Sequence, residues 1–318
     1  MRDILIITIA IIGFISCSNP AQKKEERTEI SLDSIKISPN WGDKSVINLK
    51  LKKTKTIKSN GIFQSVSSTA NIELQLSKND DNTWNGIWNI KDFQTPQISS
   101  PLERKIEKLM NGFVYCFSID STGIIYELTN WREIQSKGFE ALELVIGEIK
   151  NQPTMTPQVI EQMRMNIEEL FNSKEKIETY FMQETQLYFA LGGIEMTKLD
   201  TIAGYTLITN PLTGDLLMQN LSIVYQKAYS DSTCDIQLTQ FMDESSFRSF
   251  TINTVNKFAG ENNTDEFQEK MESVKFDSKI TSDYNISLKT GLVEKLSSQK
   301  EIIIGDNIRI DKTEITRK

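Results

Sequence analysis

Short stretches of the chain alternate apolar and polar residues with the period of two that marks a half-buried strand. Asn71-Ile72-Glu73-Leu74-Gln75 is one, and Asp235-Ile236-Gln237-Leu238-Thr239 is another. Two further segments read as strand, glycine turn, strand, because glycine supplies the positive φ that a tight hairpin needs. One is Phe117 to Thr129 around Gly123; the other is Ile286 to Ser297 around Gly291. Their order suggests an internal repeat. In this alignment the turn Asn79–Asn82 corresponds to Asp243–Ser246, and the strand Trp84–Ile90 to Phe247–Ile252. Short helical inserts, Leu102–Met110 and Phe267–Val274, follow in each copy. The spans from Ile72 to Gly123 and from Ile236 to Gly291 are nearly equal.

Between the copies the period changes to that of a helix. Thr156-Pro157 is a start signal, with a capping hydroxyl and proline at the first helical position. Met163, Ile167, Leu170 and Phe171 follow at helical spacing, Asn172-Ser173 breaks the run, and Ile177, Tyr180, Phe181, Leu187, Tyr188 and Leu191 continue it to Gly192-Gly193. The opposite side carries Glu161, Glu168, Glu169, Glu175 and Glu178. An amphipathic helical pair of this kind calls for a sheet to cover. The predicted fold class is therefore α+β: two similar antiparallel β-rich halves, related by internal duplication, with a central helical segment packed against the sheet.

The amino terminus changes the picture from fold to location. Arg2 precedes an apolar run from Ile4 to Ile15, and Ser16-Cys17 follows. The run is shorter than the roughly 20 residues a spanning helix needs. With Phe14-Ile15-Ser16-Cys17 as its box, the segment resembles a bacterial lipoprotein signal peptide, which implies cleavage before Cys17 and lipidation of that residue. Phe14 stands where leucine is usual; an ordinary secretory leader is the alternative. Ser18 to Ile30 is polar and mixed in charge and reads as a tether. The expected organisation is residues 1–16 signal peptide, 17–40 lipidated cysteine and tether, 41–150 first β-rich repeat, 151–193 central helical segment and 194–318 second β-rich repeat.

Lipid site, tether, strand sets, glycine hairpins, central helices and Ala203-Gly204-Tyr205 at the second copy's entry together resemble outer-membrane lipoproteins of Bacteroidota-type bacteria. Related layouts in the lipoprotein-carrier class shelter acyl chains in a half-open barrel. Ser18 beside the cysteine resembles the outer-membrane sorting pattern, and the periplasmic face is favoured over the cell surface.

Composition narrows the function. With 36 Lys and Arg against 43 Asp and Glu the net charge is −7, which argues against nucleic acid as a partner. The chain has no histidine, so serine and cysteine triads and histidine-built zinc sites are excluded. No phosphate-cradling glycine loop or nucleophile elbow is present. Carboxylate-only hydrolysis would draw on Asp120, Glu127, Asp231 or Asp235, although alternation on solvent-facing strands accounts for them. Asn79–Asn82 lacks the rest of a calcium loop and reads as a hairpin turn. Cys116 and Cys234 are either a disulfide or two separately buried thiols. No cofactor, metal or catalytic residue is expected. Aromatic residues offer the candidate site: Trp84, Trp88, Phe117, Phe171 and Tyr188 either fill the core or line an apolar cavity. Trp41, Trp84 or Trp131, if exposed, would make a glycan platform. The expectation is a non-catalytic, lipid-anchored envelope protein that holds an apolar or lipidic ligand between sheet and helices. The alternative is an interaction module that recruits an envelope protein or glycan.

Overall fold

The computed structural model describes residues 27–96, 101–150, 156–198, 200–209, 216–259 and 274–318. Cys17, the leader and residues 18–26 of the expected tether lie outside the described residues, as does Phe267–Ser273 of the second helical insert. In chain order the elements are β1 (Glu29–Ile30), β2 (Ser34–Lys36), β3 (Lys44–Ser59), β4 (Ile62–Lys78), β5 (Trp84–Gln94), α1 (Pro101–Met110), β6 (Val114–Ile119) and β7 (Ile125–Leu128). Next come α2 (Trp131–Ile149), α3 (Pro157–Leu170), α4 (Lys174–Phe181), α5 (Gln183–Tyr188), β8 (Glu195–Thr197), β9 (Thr201–Thr209), β10 (Leu216–Tyr229) and β11 (Thr233–Phe241). The last are α6 (Glu244–Ala259), β12 (Phe276–Ser287), β13 (Val293–Ile304) and β14 (Asn307–Arg317).

Most of the described strands join one antiparallel sheet in the order β1-β10-β11-β12-β13-β14-β3-β4-β5-β6-β7, with β9 beside β10. The two halves are continuous, because β14 pairs with β3 from Ile308 to Arg317. Alternation sets the two faces. Ile47, Leu49 and Leu51 of β3 and Ile72, Leu74 and Leu76 of β4 are buried on one side, while Lys44, Asn48 and Lys50 point to water on the other.

The buried face curls around the central helices. Trp88 on β5 and Tyr284 on β12 are five strand spacings apart, about 24 Å in a flat sheet. Yet Trp88 packs on Tyr188 with ring centroids 5.8 Å apart, and the Tyr284 hydroxyl donates to the Leu187 carbonyl at 3.0 Å. The α4–α5 segment is thus a plug inside a half-barrel. Ser173 caps α4, its Oγ accepting from Lys176 N at 3.3 Å, so the expected break at Asn172-Ser173 is a new helix start. The helical stretch also begins earlier than the sequence pattern indicates, with α2 at Trp131. No helix among the described residues is long and apolar enough to cross a membrane.

One expected strand is a helix. Phe247–Ile252 lies within α6, and Asp243–Ser246 is the helix cap rather than a hairpin turn. Asp243 Oδ1 accepts from Ser246 N at 2.9 Å and from Ser245 Oγ at 2.6 Å. The turn that matches Asn79–Thr83 lies elsewhere. In the β4–β5 hairpin Asp81 accepts from Thr83 N and Oγ1 at 3.0 and 2.6 Å around a positive φ at Asn82. In the β10–β11 hairpin Asp231 accepts from Thr233 N and Oγ1 at the same distances around a positive φ at Ser232.

The two glycine hairpins meet at that same end of the sheet. Ser38-Pro39 crosses between them: a Cβ on Gly123 would come 3.0 Å from Pro39, and one on Gly291 2.5 Å from the Ser38 carbonyl oxygen. Both glycines have positive φ, so neither position admits a side chain without strain.

Candidate functional site

The candidate aromatic residues all lie in one core. Trp84, Trp88, Phe117 and Tyr188 are all buried and share one cluster with Trp41 and Phe189. Trp41 and Trp84 lie 4.9 Å apart, Tyr188 and Phe189 5.2 Å, and Phe117 and Phe189 5.8 Å. The Phe117 ring lies over Gly86 of β5, where any Cβ would stand 2.2 Å from it. Phe171 belongs to the same core but makes its ring contacts among the helices. It stacks on Phe181 at 4.7 Å and packs beside Phe139, over Gly138 of α2. These side chains fill space rather than surround it. The crevice beside Tyr188 and Phe189, bounded by Pro39, Gly123 and Gly291, holds about 10 Å³, room for one water at most. Trp41 and Trp84 are buried and Trp131 is half-buried.

Each candidate carboxylate has a structural task. Asp120 accepts from Thr122 N, Thr122 Oγ1 and Ile124 N at 2.6–3.0 Å. Burial works to raise its pKa, but these donors together hold it below the usual range. Asp231 binds Thr233, whose hydroxyl lowers the carboxyl pKa. Glu127 pairs with Lys174 at 2.8 Å. Asp235 accepts from the Tyr229 hydroxyl at 2.6 Å and Asn285 Nδ2 at 2.8 Å. No group of three potential metal ligands occurs among the described residues. Cys116 and Cys234 are free thiols; burial, and then the charge of Asp235, push Cys234 up to about 12.

On the outer face Asn48, Asn71, Glu73, Lys91, Asp92 and Lys318 border an open cleft of about 310 Å³. Its polar groups satisfy one another: Lys91 pairs with Glu73 at 2.6 Å, Lys318 donates to Asn71 at 2.6 Å, and Asn71 donates to Asp92 at 2.7 Å.

The inner face of the sheet continues beyond the plug, and at β12 it is covered by α6, where Phe247 packs on Phe276. Successive rows across β12, β13, β14 and β3 change character along the strands. The row packed on the plug is apolar: Tyr284, Leu296, Ile315, Leu51. Next is a hydroxyl row, Ser282, Ser298, Thr313, ending in Lys53. The Ser282 and Ser298 hydroxyls bond at 2.8 Å, and Lys53 pairs with Glu184 in the first turn of α5. Glu184 thereby raises the Lys53 pKa. The third row is Ile280, Lys300, Asp311, Lys55, and the fourth includes Ile302, Arg309 and Ile57. Arg309 Nη2 lies 2.8 Å from Asp311. The Lys53, Arg309 and Asp311 side chains keep 47%, 43% and 29% of their exposure although they point inward, so water reaches this end. Burial, followed by the charge of Arg309, lowers the pKa of both Lys300 and Lys55. None of these residues is marked by a motif. The signal in the sequence is Leu49-Lys50-Leu51-Lys52-Lys53, where inward positions stop being apolar while the strand continues.

No protein-family profile matches the chain, and no curated protein is similar to it. Among solved structures, DynF from the dynemicin biosynthesis pathway of Micromonospora chersina aligns at 6% identity over 96% of this chain and 94% of its own. The TM-score is 0.20, a likeness too slight to carry fold or function across.

Proposed function

We propose that this chain is a lipid-anchored, non-catalytic binding protein of the bacterial cell envelope, held through Cys17 at the periplasmic face of the outer membrane. It holds an amphipathic ligand against the inner face of its sheet. The supporting observation is the half-barrel beyond the plug: an inward-facing surface of mixed Ile, Ser and Lys positions that water still reaches. The aromatic residues Trp84, Trp88, Phe117 and Tyr188 then serve as the packed floor rather than as the lining. Phe171 supports the helices behind it. The matched turns at Asp81–Thr83 and Asp231–Thr233, and the glycine hairpins that meet at Pro39, support origin by duplication of one β-rich unit.

Native mass spectrometry of the Cys17→Ser chain tests the binding reading. The expected result is an adduct that leaves on organic extraction and is identified as lipid. A clean mass with no uptake of added amphiphiles overturns it.

A second reading rests on a separate surface. Tyr205, Leu207, Met218 and Phe241 are 43–67% exposed, and their register places them on the outer face of β9, β10 and β11. A cluster of exposed apolar side chains suits recruitment of an envelope partner. Serine substitutions at Tyr205 and Leu207 that abolish co-purification of one defined partner from cross-linked envelopes would favour it.

A further inference from the structure

We infer that β9 is an open edge for strand addition, and that its partner is an extended, uncharged segment of another protein with apolar residues at alternate positions. The inference rests on the second reading above and names the form its partner takes. The sheet has two edges, and they are built differently. At β7 the edge is four residues long and closed by α4: Leu128 N donates to Glu178 Oε1 at 2.8 Å, and Glu127 pairs with Lys174. At β9 the edge runs for nine residues and pairs with β10 alone among the described residues. Its register is unbroken from Thr201–Val224 to Thr209–Leu216. None of those paired positions on either strand is charged, in a chain of which 25% is charged. Lysine, proline, bulges and short length are the usual ways of blocking an edge, and β9 has none of them.

A row of free N–H and C=O groups calls for another strand, and the side chains say what kind. Tyr205 and Leu207 are exposed on the outer face of β9, and Ile202 is 37% exposed on the inner one. Apolar residues at alternate positions of a partner would therefore find cross-strand contacts. Gly204 is an independent sign. Its φ is not positive, its register shows no bulge, and a Cβ there would meet only Leu221, at 3.8 Å, among the described residues. Nothing inside the fold requires glycine at that position, and such a glycine marks close approach by another backbone. A second copy does not fit this edge. Identical strands pair antiparallel about a two-fold axis. The chain reaches the sheet through β1, at the Tyr229 end of β10. Two copies moored through that end in one leaflet stand the same way up, with their β9 strands parallel.

The test uses a peptide of alternating valine and threonine, as long as β9, with a charged solubilising tag outside the pairing stretch. A second peptide is identical but N-methylated at every other backbone nitrogen, which removes the donors a sheet edge would use. Both are titrated by fluorescence anisotropy into the Cys17→Ser chain. The unmodified peptide is expected to bind and to slow amide exchange in residues 201–209, and the N-methylated one to bind about tenfold or more weakly. Tyr205→Lys together with Leu207→Lys should weaken binding by about threefold or more, with the parent's unfolding midpoint because both side chains are exposed. Equal affinity for the two peptides overturns strand addition and leaves recruitment by the apolar face standing. Binding without slowed exchange in β9, or no binding of either peptide, also overturns it, and the co-purification test then decides the second reading separately. A chain that dimerises and protects the same amides without peptide overturns it in favour of a second copy.

Discussion

Asp243 shows how a single side chain decides between two structures that hydrophobic pattern leaves open. Phe247, Phe250 and Ile252 are compatible with either strand or helix, and the pattern alone favours a strand by analogy with Trp84–Ile90. The carboxylate settles it by capping α6 through Ser245 and Ser246, two donors that hold its pKa near 2, well below the usual 3.8. A depressed folded-state pKa contributes stability above the unfolded value and loses it as the carboxyl protonates. Stability should therefore fall between pH 4 and pH 2, and Asp243→Asn, which can still cap, should remove much of this acid dependence. Asp243→Ala should cost about 1 kcal/mol at neutral pH; urea unfolding across that range measures both. Gly86 is the other residue with one answer. Its missing Cβ is what lets Phe117 lie flat on β5, so Gly86→Ala should destabilise by about 1–3 kcal/mol through overpacking, readable as a lower denaturation midpoint.

Strands whose alternation is intact were legible as elements: β4, β6, β11 and the glycine hairpins lie where the sequence places them. So do the α3 start at Pro157 and the restart after Ser173. What was not legible is pairing. The β14–β3 contact that fuses the halves joins residues near opposite ends of the chain, and nothing local encodes it. The inward lysines were hidden for a related reason, because a charged residue on a strand reads as solvent-facing until the register is known. The plug is the element on which this register converges, and two tyrosines fasten it. Tyr188 donates to the Val293 carbonyl and Tyr284 to the Leu187 carbonyl, each at 3.0 Å. Tyr188→Phe and Tyr284→Phe should each cost about 1 kcal/mol by removing a hydrogen bond to an interior carbonyl. Since both bonds secure the same α5 segment, a double-mutant cycle should show coupling beyond the sum.

At the scale of the whole molecule, the proposed location rests on Cys17, which lies outside the described residues. Cys17→Ala should abolish incorporation of radiolabelled palmitate and release the protein from membranes in fractionation. Retention of label would place the lipid elsewhere. The folded body also fixes where its own attachment emerges. Arg27 is held at the β10–β12 corner, donating to Asn285 Oδ1 at 2.9 Å and facing Asp231 at 3.9 Å, while β1 pairs with the end of β10. This corner belongs to the end of the sheet with the Gly123 and Gly291 hairpins, and the cationic rows lie toward the opposite end. Only nine residues lie between Cys17 and Arg27, a span of at most about 35 Å. A lipid on Cys17 would thus moor the molecule by its closed end, leaving the open mouth directed away from its own leaflet. Cargo would then be exchanged with whatever approaches across the aqueous gap, as at a berth whose loading side faces the channel rather than the quay.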